Sequence, residues 1–247
     1  MSSEPRQWTY ALVPGAGGES WYWHLVAPRL RALGHAVVAP DLPYSDPAAG
    51  LPEFADVVVD AVDGASPLVV VGQSMGAFTA TTVCERSPVD LLILVAPMIP
   101  APGESPGEWW ANTGQPAASR AFAVSEGRDP DAPFDVMTGF FHDVPDDVVE
   151  EAMARGEPPQ SDTPFGQRWP NAAWPEVPTR VLAGGRDRLF PPRFVRRLAR
   201  ERLGLDVDLI DAGHLPALAR PAEVAERLEG YRVDHVLSAR QPARDPT

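Results

Sequence analysis

Ser74 is the side chain with the clearest capacity for covalent chemistry, because it stands between Gly72 and Gly76 in the pattern GQSMG. A Gly-x-Ser-x-Gly pattern also arises by chance, so its setting decides what it means. Here the apolar stretch LVVV precedes the pattern and a helical stretch follows it, as in the strand-turn-helix arrangement that exposes a nucleophilic serine. So tight a turn favours glycine beside the serine. The pattern predicts Ser74 as the nucleophile of an acyl-transfer reaction.

A serine hydroxyl reacts well only when a base takes its proton, so the chain should also supply a histidine and a carboxylate that orients it. His214 lies in DAGHLP, on a loop after the last predicted strand, where the carboxyl edge of a parallel sheet places functional groups. Asp187, in AGGRDRLFPP, also follows a predicted strand. The order Ser74, Asp187, His214 is one in which such triads occur. Asp211 is the local alternative for the acid, and we interpret it as a strand-end residue.

Acyl transfer also needs hydrogen-bond donors for the oxyanion that develops on the substrate. Two backbone amides are candidates: Met75, which follows the predicted nucleophile, and Ala16, in the glycine-rich turn PGAGG after the first predicted strand. Such a turn could instead cradle phosphate, but it lacks the lysine of a phosphate loop and the spacing of a dinucleotide-binding fingerprint. We therefore predict that the N–H groups of Ala16 and Met75 form an oxyanion hole.

The elements that must position these residues are short apolar strands alternating with helical stretches. This alternation predicts an α/β fold with a mainly parallel sheet flanked by helices. The predicted strands span residues 8–13, 35–39, 68–71, 91–95, 180–183 and 206–210. The predicted helices of this core span residues 21–33, 53–63, 75–85, 193–203 and 223–233.

The alternation stops between residues 98 and 175, where Pro, Gly and Trp are frequent and only short helices, near 136–141 and 147–154, are predicted. We expect a single α/β core formed by residues 1–97 and 176–235, an inserted helical cap at 98–175 and a flexible tail at 236–247. Large side chains of the insert are expected to form a lid and a substrate pocket, although each could equally belong to the core. They are Trp109, Trp110, Phe122, Phe140, Phe141, His142 and Trp169. His24, His35 and His235 are interpreted as surface or packing residues.

Charge and composition narrow the range of functions. The formal net charge of −13 disfavours binding to nucleic acid or to anionic membranes. All 21 basic residues are Arg, so mechanisms that need a lysine are excluded. We expect a small-molecule substrate, no metal and no organic cofactor, and a monomer or homodimer. With one cysteine and no recognisable targeting segment, we expect a cytoplasmic protein.

Taken together, these motifs resemble those of the α/β-hydrolase superfamily, most closely its compact esterase and hydroxynitrile-lyase-like branch. The resemblance is carried by PGAGG, WYWH, GHAVVAPDLP, GQSMG and GHLPA, and it covers nearly the whole chain apart from the insert. Because that branch lacks the first two strands of larger members, the resemblance implies a six-stranded parallel sheet.

Two departures from the family pattern bear on chemistry. The family usually has a histidine before the first glycine of the oxyanion turn, whereas this chain has Pro14, so the hydrogen bonding of the turn must differ. The lyase members use an active-site lysine, and this chain has none. Serine in the GQSMG turn, where epoxide hydrolases and haloalkane dehalogenases have aspartate, argues against those activities.

The sequence therefore predicts a serine hydrolase that cleaves a neutral, fairly apolar ester, thioester or lactone through an acyl-enzyme. Two alternatives stay open. One is an enzyme that keeps the same triad but catalyses a non-hydrolytic step of a biosynthetic pathway. The other is a non-catalytic receptor for a small ligand on the same fold.

Overall fold

A six-stranded parallel sheet forms the centre of the protein, seen in a computed structural model that describes residues 7–17 and 19–240. The order of the strands across the sheet is β2-β1-β3-β4-β5-β6. Their bounds are β1 Thr9–Val13, β2 Ala36–Val38, β3 Leu68–Gln73, β4 Leu91–Val95, β5 Thr179–Gly184 and β6 Asp208–Ile210. The predicted α/β fold with a parallel sheet is confirmed, and each strand falls where the apolar stretches placed it.

The two central strands, β3 and β4, are buried along their whole length. Strands covered on both faces carry continuous apolar runs, which explains LVVV and LLILV. The register pairs Val13 with Gly72 and Gly72 with Leu94, so β1, β3 and β4 end close together at one edge of the sheet. The loops that follow these strands therefore meet at that edge.

Helices cover both faces of the sheet. Their bounds are α1 Ala27–Ala32, α2 Leu51–Val62, α3 Gly76–Cys84, α4 Pro106–Thr113, α5 Gln115–Ser125, α6 Asp146–Arg155, α7 Thr163–Gly166, α8 Pro192–Leu203, α9 Pro216–Ala219 and α10 Pro221–Arg240. Residues of α2, α3 and α8 pack on one face, and residues of α1 and α10 pack on the other. No helix in the described ranges has both the length and the apolar character that a bilayer crossing requires.

The segment between β4 and β5 is an insert that contains α4 to α7 and a π-helical turn, Met137–Phe141. Helices α4, α5 and α7 were not predicted. A signal for α4 was present: Ser105 accepts a hydrogen bond from the Glu108 amide at 3.2 Å, and the Glu108 carboxylate accepts one from the Ser105 amide at 3.0 Å. This reciprocal capping, with a proline at the helix start, is readable from the sequence SPGE.

Two predicted boundaries were wrong. The expected helix 21–33 is divided into a 3-10 turn, Ser20–Trp23, and α1, so His24 lies between the two. Pro28 explains the break, because it lacks an N–H and favours the first turn of a helix.

The chain end also differs from the prediction. Residues 236–240, expected in a flexible tail, continue α10 because Val236 packs on the core and His235 lies edge-on to Trp8 at 6.0 Å. Residues 241–247 lie outside the described part of the chain.

Candidate active site

Ser74 lies between the end of β3 and the start of α3, on a turn that holds it in the left-handed backbone region, with φ of 51°. A non-glycine residue in this region is strained by about 1–2 kcal/mol, so its surroundings must hold it there. The Ser74 amide donates to the Val95 carbonyl at 3.0 Å, and the Met98 amide donates to the Ser74 carbonyl at 3.0 Å. The turn is thereby fixed to the end of β4, and the Ser74 side chain remains partly exposed.

At the glycines around Ser74, the edge of the sheet leaves no room for a side chain. A Cβ atom at Gly76 would lie 2.4 Å from the Pro14 carbonyl oxygen, and one at Gly72 would lie 2.7 Å from Cβ of Ala80. A Cβ atom at Gly15 would lie 3.0 Å from Cβ of Ser74. These distances place the glycine-rich turn after β1 directly against the serine turn.

Ser74, His214 and Asp187 are joined by hydrogen bonds. The Ser74 Oγ lies 3.1 Å from His214 Nε2, and His214 Nδ1 lies 2.9 Å from Asp187 Oδ2. Because a carboxylate only accepts, His214 Nδ1 carries the proton and Nε2 is free to accept from the serine. His214 as a residue is 2% exposed, and Asp187 is fully buried.

Asp187 is itself held in place by the loop that follows it. Its Oδ1 accepts hydrogen bonds from the amides of Leu189 and Phe190, both at 2.8 Å. The two amides fix the orientation of the carboxylate, so its other oxygen, Oδ2, faces His214 Nδ1. Asp211, the local alternative, is exposed and pairs with Arg186 at 2.8 Å, as expected for a strand-end residue.

Aromatic rings enclose the imidazole of His214. The Phe190 ring lies edge-on to it, with centroids 4.8 Å apart, and the Phe140 ring lies tilted over it at 5.3 Å. The predicted contact residue Phe140 therefore lies beside His214, on the π-helical turn of the insert. Phe190 was missed, although its position three residues after Asp187 was a usable signal.

Other insert residues lie elsewhere than predicted. Trp109 is fully buried: its Nε1 donates to the Ile99 carbonyl at 2.9 Å, and its ring packs on Phe190, 5.1 Å away. Trp169 is also a core residue and donates to Thr81 Oγ1 at 3.1 Å. Their hydrophobic rings are covered by the helices, so neither lines an open pocket. Trp110 is partly exposed, 5.7 Å from Phe190.

Phe141 and His142 follow Phe140 in the insert, and His142 lies against the loop that carries His214. Phe141 packs on the core at the face of the sheet that α1 and α10 cover. The His142 ring lies against Gly213, where a Cβ atom would be 2.7 Å from His142 Cε1. Both His142 ring nitrogens are buried without a hydrogen-bond partner in the described structure. Burial, together with the nearby positive charge of Arg188, holds the pKa of His142 below its ordinary value.

The predicted oxyanion donors lie on the two turns that meet at Ser74. Met75 is almost fully buried and precedes the first turn of α3, whereas Ala16 is exposed in the glycine-rich turn. In the described ranges, neither amide is engaged by a protein acceptor. The next amide, Gly17, donates to Gln160 Oε1 of the insert at 2.8 Å. The turn that has Pro14 in place of the usual histidine is thus tethered to the insert.

The remaining histidines make packing or surface contacts, as predicted. His35 Nε2 lies 3.0 Å from Glu229 Oε2, and His24 stacks on Trp21 at 4.6 Å.

Comparison with known proteins agrees with the fold. A model of the alpha/beta hydrolase family matches residues 11–227. The chain is 26% identical over 241 residues to a pyrethroid hydrolase of Sphingobium wenxiniae, a match that covers 89% of this chain and 86% of that protein. The crystal structure of a pyrethroid hydrolase from Sphingobium faniae superposes with a TM-score of 0.71 at 23% identity, covering 92% of this chain and 97% of the other.

A plant relative is similar over a shorter stretch. Methylesterase 3 of Arabidopsis thaliana is 28% identical over 123 residues, which is 44% of this chain and 47% of the methylesterase. The match therefore spans less than half the length of that relative.

Proposed function

This chain belongs to the alpha/beta hydrolase family, and from that premise we propose that it is a serine esterase that forms an acyl-enzyme on Ser74. The observation that carries the proposal is the continuous hydrogen-bonded path from Ser74 Oγ to His214 Nε2 at 3.1 Å and from His214 Nδ1 to Asp187 Oδ2 at 2.9 Å. The similar proteins named as a pyrethroid hydrolase and a methylesterase support ester cleavage as the reaction class.

The first half of the reaction is acylation. His214 Nε2 takes the proton of Ser74 as Oγ attacks the carbonyl carbon of the ester. The carbonyl oxygen becomes an oxyanion and accepts hydrogen bonds from the amides of Ala16 and Met75. Asp187 stabilises the imidazolium through Nδ1. When the tetrahedral intermediate collapses, the bond to the alcohol breaks and His214 gives its proton to the leaving oxygen.

The second half is deacylation. His214 now takes a proton from water, the resulting nucleophile attacks the acyl carbon, and the oxyanion forms again in the same place. Collapse breaks the bond to Ser74, which regains its proton from His214, and the carboxylic acid leaves. No metal or organic cofactor takes part in either half.

The surroundings of the triad favour a neutral, fairly apolar acyl or alcohol group. Phe140 and Phe190 flank His214, and the exposed Phe134 lies 5.2 Å from Phe140, so an apolar surface leads from solvent to the imidazole. An apolar ester, thioester or lactone would lose little solvation there. We assign residues 98–175 as the cap over this surface, with Trp110 and Phe140 as its candidate substrate-facing side chains.

Turnover of short-chain aryl esters tests this proposal. We expect measurable hydrolysis by the wild type and a loss of about 10⁴-fold or more in kcat for Ser74→Ala and His214→Ala. Ser125→Ala, which removes an exposed hydroxyl on α5, is the matched control and should keep full activity. A Ser74→Ala variant that remained as active as the control would refute the mechanism.

This ester assay, combined with labelling by a fluorophosphonate, separates the two alternative functions. A wild type that reacts covalently with a fluorophosphonate at Ser74 but hydrolyses no ester would indicate a non-hydrolytic enzyme. A wild type that does neither would indicate a ligand receptor on this fold.

A further inference from the structure

Asp143 is a buried carboxylate of the insert that the reaction described above does not use. It follows the π-helical turn that carries Phe140, and its side chain is 2% exposed. A buried carboxylate is costly unless charged or hydrogen-bonding partners compensate it, so its partners indicate why it is there.

Those partners are the residues immediately before His214 and Asp187. Asp143 Oδ2 accepts a hydrogen bond from the Gly213 amide at 2.7 Å, and the same oxygen lies 3.6 Å from an Arg186 guanidinium nitrogen. One carboxylate of the insert therefore contacts both loops that supply partners to Ser74.

The two loops are also bonded to each other beside Asp143. The Arg186 amide donates to the Ala212 carbonyl at 2.9 Å, and the Arg186 guanidinium donates to the Asp211 carbonyl at 2.9 Å. Gly213 itself has no room for a side chain, because a Cβ atom would lie 2.7 Å from Asp143 Oδ1 and 2.7 Å from His142 Cε1. The backbone before His214 is thus enclosed on the insert side.

We propose that Asp143 is a positioning residue, which fixes the Gly213 backbone so that His214 Nε2 faces Ser74 and thereby links the cap to the triad. This inference rests on the proposed function. Asp143 touches no reacting atom and acts through Gly213 and Arg186. An imidazole displaced by about 1 Å can cost up to roughly 10²-fold in rate, because proton transfer depends steeply on geometry.

The test compares Asp143→Ala and Asp143→Asn in steady-state hydrolysis of an aryl ester, with thermal midpoints recorded for each. Alanine removes both contacts, and we expect kcat to fall about 10- to 100-fold with KM nearly unchanged. Asparagine loses the charge that faces Arg186 but keeps an oxygen that can accept from the Gly213 amide. We therefore expect Asp143→Asn to recover most of the lost kcat.

Glu104→Ala is the matched control. Glu104 is also a buried carboxylate of the insert, 5% exposed, and pairs with an arginine, Arg202. Its partners lie outside the loops that carry Asp187 and His214, so the variant should lose stability while keeping kcat.

A folded Asp143→Ala variant with wild-type kcat would overturn the proposal. So would an Asp143→Asn variant as slow as a folded alanine variant. If the alanine variant does not fold, a wild-type kcat in Asp143→Asn supports the Gly213 contact and a 10-fold or greater loss refutes it.

Failure of this inference is distinguishable from failure of the proposed function. If the wild type neither hydrolyses aryl esters nor reacts with a fluorophosphonate, the esterase proposal is wrong. If the wild type does both and Asp143→Ala does both at the same rates, only the role of Asp143 is refuted.

Discussion

The ring of Phe190 meets the imidazole of His214 edge-on, with centroids 4.8 Å apart and planes at 90°. The Phe190 amide also donates to Asp187 Oδ1 at 2.8 Å. Phe190 therefore contacts two members of the proposed triad, with its backbone on Asp187 and its side chain on His214. We expect the ring to limit the tilt of the imidazole and to keep water from one side of it.

We expect Phe190→Leu to lower kcat for aryl ester hydrolysis by about 10-fold, because the imidazole gains freedom while the backbone contact with Asp187 remains. Phe194→Leu is the matched control, since Phe194 is also buried and packs on Trp109, 5.6 Å away. Both variants should lose about 1–2 kcal/mol of unfolding free energy. Equal kcat in the two variants would show that the Phe190 ring has no special role.

Gly76 and Gly230 form a second matched pair. A Cβ atom at Gly76 would lie 2.4 Å from the Pro14 carbonyl oxygen, whereas one at Gly230, within α10, would meet no atom within 4 Å. Gly76→Ala should therefore displace the serine turn and lower both the thermal midpoint and kcat. Gly230→Ala should raise the unfolding free energy by about 0.5–1 kcal/mol, since alanine restricts the unfolded chain and favours helix. A shift of the two thermal midpoints in the same direction would contradict this prediction.

The single thiol, Cys84, should be unreactive in the native protein. Its Sγ donates to the Ala80 carbonyl at 3.3 Å, and burial raises the pKa of Cys84 to about 12. At pH 8 only about one thiol in 10⁴ is then ionised, and the thiolate is the reactive form. We expect no alkylation by iodoacetamide under native conditions at pH 8 and one equivalent in denaturant, by intact mass. Rapid labelling of the native protein would contradict the raised pKa of this thiol.

His142 should make stability depend on pH. Burial and the nearby Arg188 hold its folded-state pKa below the value of about 6.5 in an unfolded chain. Below pH 6.5 the unfolded chain therefore binds a proton that folded His142 does not bind, so the free energy of unfolding falls as the pH is lowered. We expect the thermal midpoint of the wild type to drop between pH 7.5 and pH 5.5 by more than that of His142→Asn. An equal drop in the two proteins would show that His142 titrates normally when folded.

The strands and the residues that follow them could be predicted because parallel strands leave a clear pattern. A buried strand is a short apolar run, and the sheet brings the loops after such runs to one edge. Ser74, Asp187 and His214 could thus be selected from their residue types, the GQSMG motif and their positions after strands, and the structure places their side chains within hydrogen-bond distance.

Burial within the insert could not be predicted in the same way. Trp109 and Trp110 are adjacent and identical in type, yet Trp109 is fully buried and Trp110 is partly exposed. Which of the two faces the core depends on how α4 packs, and the residue type alone does not determine this packing. The contacts of Asp143 could likewise not be predicted from the sequence, because its partners Gly213 and Arg186 are distant along the chain.

Covalent labelling is the most direct test of Ser74 as the nucleophile. The wild type and Ser74→Ala would be treated with a fluorophosphonate at neutral pH, and the modified residue located by peptide mass mapping. We expect one equivalent of phosphonate on the wild type, located on Ser74, and none on Ser74→Ala. An unlabelled wild type, or label located on any other residue, would contradict the assignment of Ser74 as the nucleophile.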